Sequence, residues 1–277
     1  MHLFDKKKAA VCLLLMMSFS SSALVQASES STLLDTINGE HRAETNKQRD
    51  VYRHPVQTLT FFQIKPEMTV VEIWPGEGWY TEILAPYLKK GGGQYIAAGF
   101  PQHAGPQWRQ DMQADYNNWL AASPDIYDKV TVVELGPPSY WTIGAENSVD
   151  AVLTFRNVHN WLKGDYDTEM FNAFYHVLKP GGILGVTDHR AVSDTNLAMM
   201  KTSGYLDQNL VINQAKQAGF ILEETSEINA NPRDTKDYTK GVWTLPPTLR
   251  LGEQNREHYL SIGESDRMTL RFRKPKE

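Results

Sequence analysis

Glu72, Gly76 and Gly78 lie in the run Val70-Val71-Glu72-Ile73-Trp74-Pro75-Gly76-Glu77-Gly78-Trp79-Tyr80. An acid ending an apolar stretch, followed by a glycine turn that opens a helix, suits ligand binding. The glycines let a ligand approach the backbone, and the helix N-terminus presents unpaired N–H groups. The same turn also serves simply to join a strand to a helix. Asn157 and His159 follow a second apolar stretch, Ser148 to Phe155. A histidine there is suited to general-base chemistry near neutral pH, with Asn157 orienting a substrate. It equally suits a cap or a satisfied core position. Asp188-His189-Arg190 closes a third stretch. An aspartate and a histidine make an orienter and a base, but adjacent residues of an extended segment point to opposite faces. Tyr52, Arg53 and His54 precede the sheet as either a lid over a cofactor or a surface turn. Trp74, Trp79, Tyr80, Tyr140, Trp141 and Trp161 cluster near these strand ends. They suit a pocket wall for a flat or hydrophobic substrate, a platform for a cation, or core.

Other chemistries are excluded. There is no Gly-x-Ser-x-Gly elbow and no Walker loop, and no His/Asp/Glu spacing announces a metal site. The only cysteine is Cys12. It lies in the apolar part of an export signal, so a chain without that signal has no disulfide and no thiolate. Lys6, Lys7 and Lys8 precede the apolar residues Ala9 to Phe19, and Val25-Gln26-Ala27 offers a cleavage site. The signal is therefore expected over 1–27, its apolar run being short for a permanent bilayer span, with a periplasmic or secreted protein as the outcome and an uncleaved N-terminal anchor as the alternative. The net charge is −5 and no basic tract follows the signal, so nucleic acid is not an expected partner. With 41% hydrophobic residues the chain can build a full core.

The elements that must position these residues follow from periodicity. Ser30 to Gln48 reads as one surface helix, ended at Asp50 to Pro55, since the residue before a proline avoids the helical region. With a short helix at Val56 to Gln63 it makes up an N-terminal helical segment over 28–62. From 63 to 277 the pattern alternates. Strands are expected at Thr69–Trp74, Gln94–Ala98, Val130–Leu135, Ser148–Phe155, Ile183–Thr187, Phe220–Glu224 and Arg267–Phe272. Helices are expected at Tyr80–Tyr87, Pro106–Leu120, Thr168–Leu178 and Leu206–Ala218, with Lys179-Pro180-Gly181-Gly182 as a turn. Alternation of this kind gives an α/β fold, a mostly parallel sheet with helices on both faces. The last two strands lack a helix between them and are expected to pair antiparallel at the edge. An irregular insertion is expected at about 229–265, and such insertions usually serve function.

Leu178-Lys179-Pro180-Gly181-Gly182 before a strand resembles the class I S-adenosylmethionine-dependent methyltransferases. Phe155-Arg156-Asn157-Val158 is similar to the matching run of the ubiquinone and menaquinone C-methyltransferases. Tyr52 to Pro55 and Val70 to Glu82 resemble a family of exported bacterial proteins described as predicted methyltransferases. The resemblance covers Val56 to Phe272. It implies a Rossmann-like seven-stranded methyltransferase fold and S-adenosylmethionine as cofactor, held by Glu72, Trp74, Gly76, Gly78 and Asn157. His159 and Asn157 are the implied catalytic residues. The acceptor is expected to be a small molecule or lipid-like. The sequence departs from the pattern at three places. Trp74 stands where the first glycine of the turn belongs and narrows the site. The second strand ends Ala98-Gly99-Phe100 without the usual ribose-binding acid. Gly136-Pro137-Pro138 follows the third strand where an acid often faces adenine. These departures keep a second reading open: a non-catalytic exported ligand-binding protein on a reused methyltransferase fold.

Overall fold

A computed structural model describes residues 32–276, so the expected signal over 1–27 lies outside the described residues. Seven strands form one sheet: β1 (Thr69–Ile73), β2 (Gln94–Gly99), β3 (Thr131–Glu134), β4 (Val149–Phe155), β5 (Leu178–His189), β6 (Ile221–Ser226) and β7 (Arg267–Arg273). Their order is β3-β2-β1-β4-β5-β7-β6. The first five run parallel, and β7 lies antiparallel between β5 and β6. Strand order reverses at β1 and β4, and open α/β sheets bind ligands beyond the carboxyl ends of such a pair.

Alternation along β1 divides the core between the two faces. Val71 and Ile73 join Phe171, Phe174, Val211 and Met268 on one side. Val70 joins Leu59, Phe62, Ile83, Leu84 and Tyr116 on the other. The first face is covered by the helices Val158–Gly164, Asp167–Val177 and Gln208–Gln217, the second by Pro55–Phe61, Thr81–Gly91 and Gln107–Ala121. Phe171 and Phe174 are both buried, each contributing roughly 1.5–3 kcal/mol of apolar burial. Among the described residues no helix is long and apolar enough to cross a membrane.

Three local expectations change, and one unassigned stretch gains an element. The Lys179 to Gly182 segment belongs to β5. It is a bulge in which the register jumps from Val149↔Leu178 to Ala151↔Ile183, with Gly181 at φ 79°. The expected single N-terminal surface helix is instead a folded strap. Helix over 32–37 gives way to turns, then to the short helices Glu44–Lys47 and Asp50–Arg53. The strap is pinned down rather than laid on the surface. Leu33 and Ile37 are buried, and Arg42 donates to the Ile37 carbonyl at 2.9 Å and to both Asp50 oxygens at 2.7 and 2.9 Å. Pro86 explains one anchor. It has no N–H to give to the Glu82 carbonyl four residues back, and His41 Nε2 donates to that carbonyl at 2.8 Å instead. Residues 158–164, for which the sequence suggested no element, form the helix Val158–Gly164. The insertion at 229–265 is less irregular than its composition: it carries the 3-10 turn Gly241–Thr244 and the helix Arg256–Ile262.

Candidate functional site

A cavity of about 480 Å³ opens at the carboxyl ends of β1 and β4, lined by Glu72, Trp74, Gly76, Asn157 and His159 among others. Its size falls in the range of small-molecule sites, roughly 300–1,000 Å³. The turn after β1 shapes its floor. Gly76 has φ 60°, and a Cβ built there meets nothing within 4 Å. Gly78 has φ 83° too, but a Cβ on it would lie 2.8 Å from the Trp119 ring. Gly76 is therefore open to the cavity, whereas Gly78 packs against the helix Gln107–Ala121 and does not line the cavity.

Glu72 sits one face away from the core residues Val71 and Ile73. Its carboxylate accepts from Tyr95 Oη, and Thr81 Oγ1 bridges Tyr95 and Tyr116 at 2.8 and 3.0 Å. Burial pushes the Glu72 carboxyl up to about 7, against the opposing effect of its hydrogen bond with Tyr95 and the charge of Arg53.

Trp74 occupies the other side of the β1 end. Its backbone is left-handed, φ 47°, and its indole reaches across β2 to donate from Nε1 to the Leu135 carbonyl after β3, at 2.9 Å. The ring lies 4.6 Å from Phe100, and the Arg109 guanidinium sits 4.7 Å over it. Gln113 closes the place beside Gly99, where its Oε1 accepts from Phe100 N at 2.8 Å. The space above β2 and β3 is thus filled by the chain itself.

Asn157 and His159 take their positions from the start of the helix Val158–Gly164. Asn157 Nδ2 donates to the Ile73 carbonyl at 2.8 Å and ties the end of β4 to the end of β1. His159 Nδ1 is 3.0 Å from Asp188 Oδ1, and its backbone N donates to Asp188 Oδ2 at 3.3 Å. Asp188 is fully buried at the end of β5. It fixes the His159 ring through Nδ1, and among the described residues Nε2 has no hydrogen-bond partner. The neighbouring pair Asp188-His189 does not act together through side chains. The His189 Nδ1 meets Ser265 Oγ at 2.6 Å, and its ring is held neutral, first by burial and then by the charges of His159, Arg156, Arg267 and Arg53. The fold brings ligand atoms of His159, Asp188 and His189 within 4.8 Å of one another, a grouping that no spacing in the sequence announced. Burial does most to keep His189 unprotonated, and the nearby guanidinia of Arg156, Arg267 and Arg53 add to it and act against a divalent cation.

The third part of the cavity is cationic. Arg49 and Arg53 come from the strap and Arg156 from the residue after β4. Arg49 Nε donates to Glu264 Oε1 at 2.8 Å and Arg53 Nε to Oε2 at 3.2 Å, while Arg267 Nη1 lies 3.2 Å from the same carboxylate. Burial pushes Arg53 down to about 9, with Arg156 adding to the effect. Burial alone raises Glu264, but Arg53, Arg267, Arg156 and Arg49 outweigh it and hold the carboxyl well below the usual range. The insertion roofs the cavity with Val242, Trp243, Pro246, Pro247 and Thr248.

Of the aromatics singled out by sequence, Trp74, Trp79 and Tyr80 line the cavity, and Trp161 is fully buried core. Tyr140 and Trp141 stay at the end of β3, outside it. Of Tyr52, Arg53 and His54, only Arg53 enters. Arg49, Trp243, Glu264 and the Asp188 partner of His159 escaped sequence reading. The spacing of Asp188 from His159 carries no local signal, because strand pairing alone makes them neighbours.

No protein-family profile matches this sequence, and no curated protein matches it either. Solved structures do match in fold. A (4+2)-cyclase, SpnF, aligns with TM-score 0.57 at 15% identity over 91% of this chain and 95% of its own. A phosphoethanolamine N-methyltransferase from Haemonchus contortus, solved with S-adenosylmethionine, aligns with TM-score 0.55 at 18% identity over 88% of this chain and 56% of its own. An S-adenosylmethionine-dependent methyltransferase from Aquifex aeolicus aligns with TM-score 0.51 at 14% identity over 79% of this chain and 88% of its own. The chain has the Rossmann-like class I methyltransferase fold.

Proposed function

We propose that this protein transfers a methyl group from S-adenosylmethionine to a small or lipid-like acceptor. The observation that carries the reading is the meeting, in one cavity at the β1/β4 reversal, of the open Gly76 turn with a His159 ring oriented by buried Asp188. The donor set fits the amino-acid half of that cofactor. The rings of Trp74 and Tyr80, both lining the cavity, suit a sulfonium cation. The Gly76 turn offers backbone to the amino-acid moiety, and Asn157 holds the β1 and β4 ends in register around it. The cofactor supplies an already electrophilic methyl group, so alignment does most of the catalytic work. His159 Nε2 takes the acceptor's proton, and Asp188 stabilises the imidazolium that results.

The lysines and apolar run of 1–27 support export, and with it an acceptor of the cell envelope. The second reading, a ligand-binding protein on a reused fold, is favoured by one observation: Trp74 fills the space above β2 and β3 where a class I cofactor's adenosine is expected. That SpnF is named a cyclase makes the same point, since fold does not set reaction.

The test is to incubate the purified protein with methyl-labelled S-adenosylmethionine and a cell-envelope extract. Label should pass to a small or lipid-soluble product, and His159→Ala should lower the rate by roughly 10²–10⁴, the usual range for losing a general base. Absence of transfer from any extract fraction by a folded protein would favour the second reading.

A further inference from the structure

The cationic end of the cavity is under-compensated. Four guanidinia, those of Arg49, Arg53, Arg156 and Arg267, surround the one carboxylate of Glu264. Asp188 is engaged with His159, and Glu72 is held largely protonated by burial until about neutral pH. Four positive charges face the buried carboxylates Glu264 and Asp188 and a Glu72 about half ionised near pH 7, while Glu77, the other acid lining the cavity, is exposed to solvent, so positive charge predominates there. Buried charges without partners are costly, so such an excess signals a missing counter-charge.

The unfilled hydrogen-bonding groups show where that counter-charge belongs. Arg53 has a side chain only 4% exposed, and its Nη2 has no partner. Arg49 Nη2 is likewise buried and unpaired. Among the described residues the Arg156 guanidinium makes no hydrogen bond or ion pair; only its backbone N is engaged, donating to the Thr187 carbonyl at 2.7 Å. Arg156 also sits on left-handed backbone, φ 62°, a conformation that costs a side-chain-bearing residue about 1–3 kcal/mol and is retained mostly at functional sites. All three arginines line the cavity, and the Arg53 guanidinium lies 4.7 Å over the Trp79 ring.

We propose that the acceptor is an anion, carrying a carboxylate or phosphate group that Arg49, Arg53 and Arg156 hold through their unpaired N–H groups. Planar guanidinium forks match the oxygens of either group. The anion would share the cavity with His159 and the Gly76 turn. This rests on the methyl-transfer reading for the word acceptor, but the anion site itself does not.

The experiment is titration of the purified full chain with inorganic phosphate, and separately with acetate, in chloride buffers of equal ionic strength. It is repeated with saturating S-adenosylhomocysteine and with Arg156→Gln, Arg156→Lys and Arg49→Gln. Phosphate or acetate should bind. Arg156→Gln should weaken that binding at least about tenfold, the range for a lost hydrogen bond to a charged group, and Arg156→Lys less so. Because Arg156 has no ion pair to lose, its variants should fold, as circular dichroism will verify, and Arg49→Gln gives an independent reading. Binding of sn-glycerol 3-phosphate against its dihexanoyl ester tells a free phosphate acceptor from a lipid one. No anion binding by the wild type, or equal binding by the glutamine variants, overturns the site. Anion binding abolished by S-adenosylhomocysteine overturns the assignment to the acceptor, since the arginines then face the cofactor's own carboxylate. Anion binding without any binding of S-adenosylhomocysteine leaves the site standing and sinks methyl transfer.

Discussion

The two sides of the β1 end are built on opposite principles. Above β2 and β3 the chain fills its own space: Trp74 packs on Phe100, Arg109 lies over the indole and Gln113 holds Phe100, with Arg109 Nε the unpaired atom among these side chains. Above β4 and β5 it is polar and unfinished, with unpaired N–H groups on Arg49 and Arg53 and an unengaged Arg156. Both sides keep a non-glycine residue on left-handed backbone, Trp74 at φ 47° and Arg156 at φ 62°. The same strain serves stability on one side, where the indole is tied into the core, and a ligand on the other. A strand-end cleft is therefore not uniformly a binding site. The residue next to the turn decides which half of it stays open.

The comparison can be broken most severely at Trp74. If its indole is structural filling, Trp74→Ala should destabilise by about 3–5 kcal/mol, as removal of a buried aromatic does; alanine keeps its Cβ and so relieves none of the left-handed backbone strain. Urea denaturation measures it; a loss below about 1 kcal/mol would mean that the ring is held in place for a ligand instead. Next is the pH dependence at Glu72. Its carboxyl is raised to about 7 in the fold. A raised folded value means the folded state holds the proton more tightly, so this stabilisation is complete at pH below the unfolded carboxyl's and is lost as pH rises toward 7. Its size is on the order of 3 kcal/mol, and Glu72→Gln should flatten the stability profile over that window.

Smaller effects separate the two glycines. Gly78→Ala puts a methyl 2.8 Å from the Trp119 ring on backbone at φ 83° and should destabilise by about 2 kcal/mol without a direct effect on ligands. Gly76→Ala meets no neighbour, so strain alone should cost about 1 kcal/mol, while its methyl enters the cavity and should weaken S-adenosylhomocysteine. Thermal denaturation with and without ligand distinguishes the pair. Equal ligand effects at both positions would erase the difference assigned to them.

The sheet was legible because apolar runs and turn glycines are local signals. Each of the seven expected strands overlaps an observed one, and β6 pairs antiparallel with β7 as expected, although the short helix Arg256–Ile262 lies between them. What was not legible depends on contacts distant in sequence. Lys179-Pro180-Gly181-Gly182 looks like a turn because proline and glycine usually mark one, yet pairing with β7 through Lys274 keeps it in the sheet as a bulge. The site divides in the same way. Glu72, Trp74, Gly76, Asn157 and His159 were visible from a strand–turn–helix pattern. Asp188 as the partner of His159, and Arg49 and Arg53 around Glu264, appear only once strand pairing and the folded strap bring residues 29 and more than 200 apart together.

Isothermal titration calorimetry of the purified protein with S-adenosylmethionine and S-adenosylhomocysteine tests the central claim most directly. The account predicts saturable binding of both, weakened by Gly76→Ala and not by a stability-matched change at Gly78. Absence of binding by a folded chain, in which Trp74 fills the cleft against every adenosyl ligand, would contradict it.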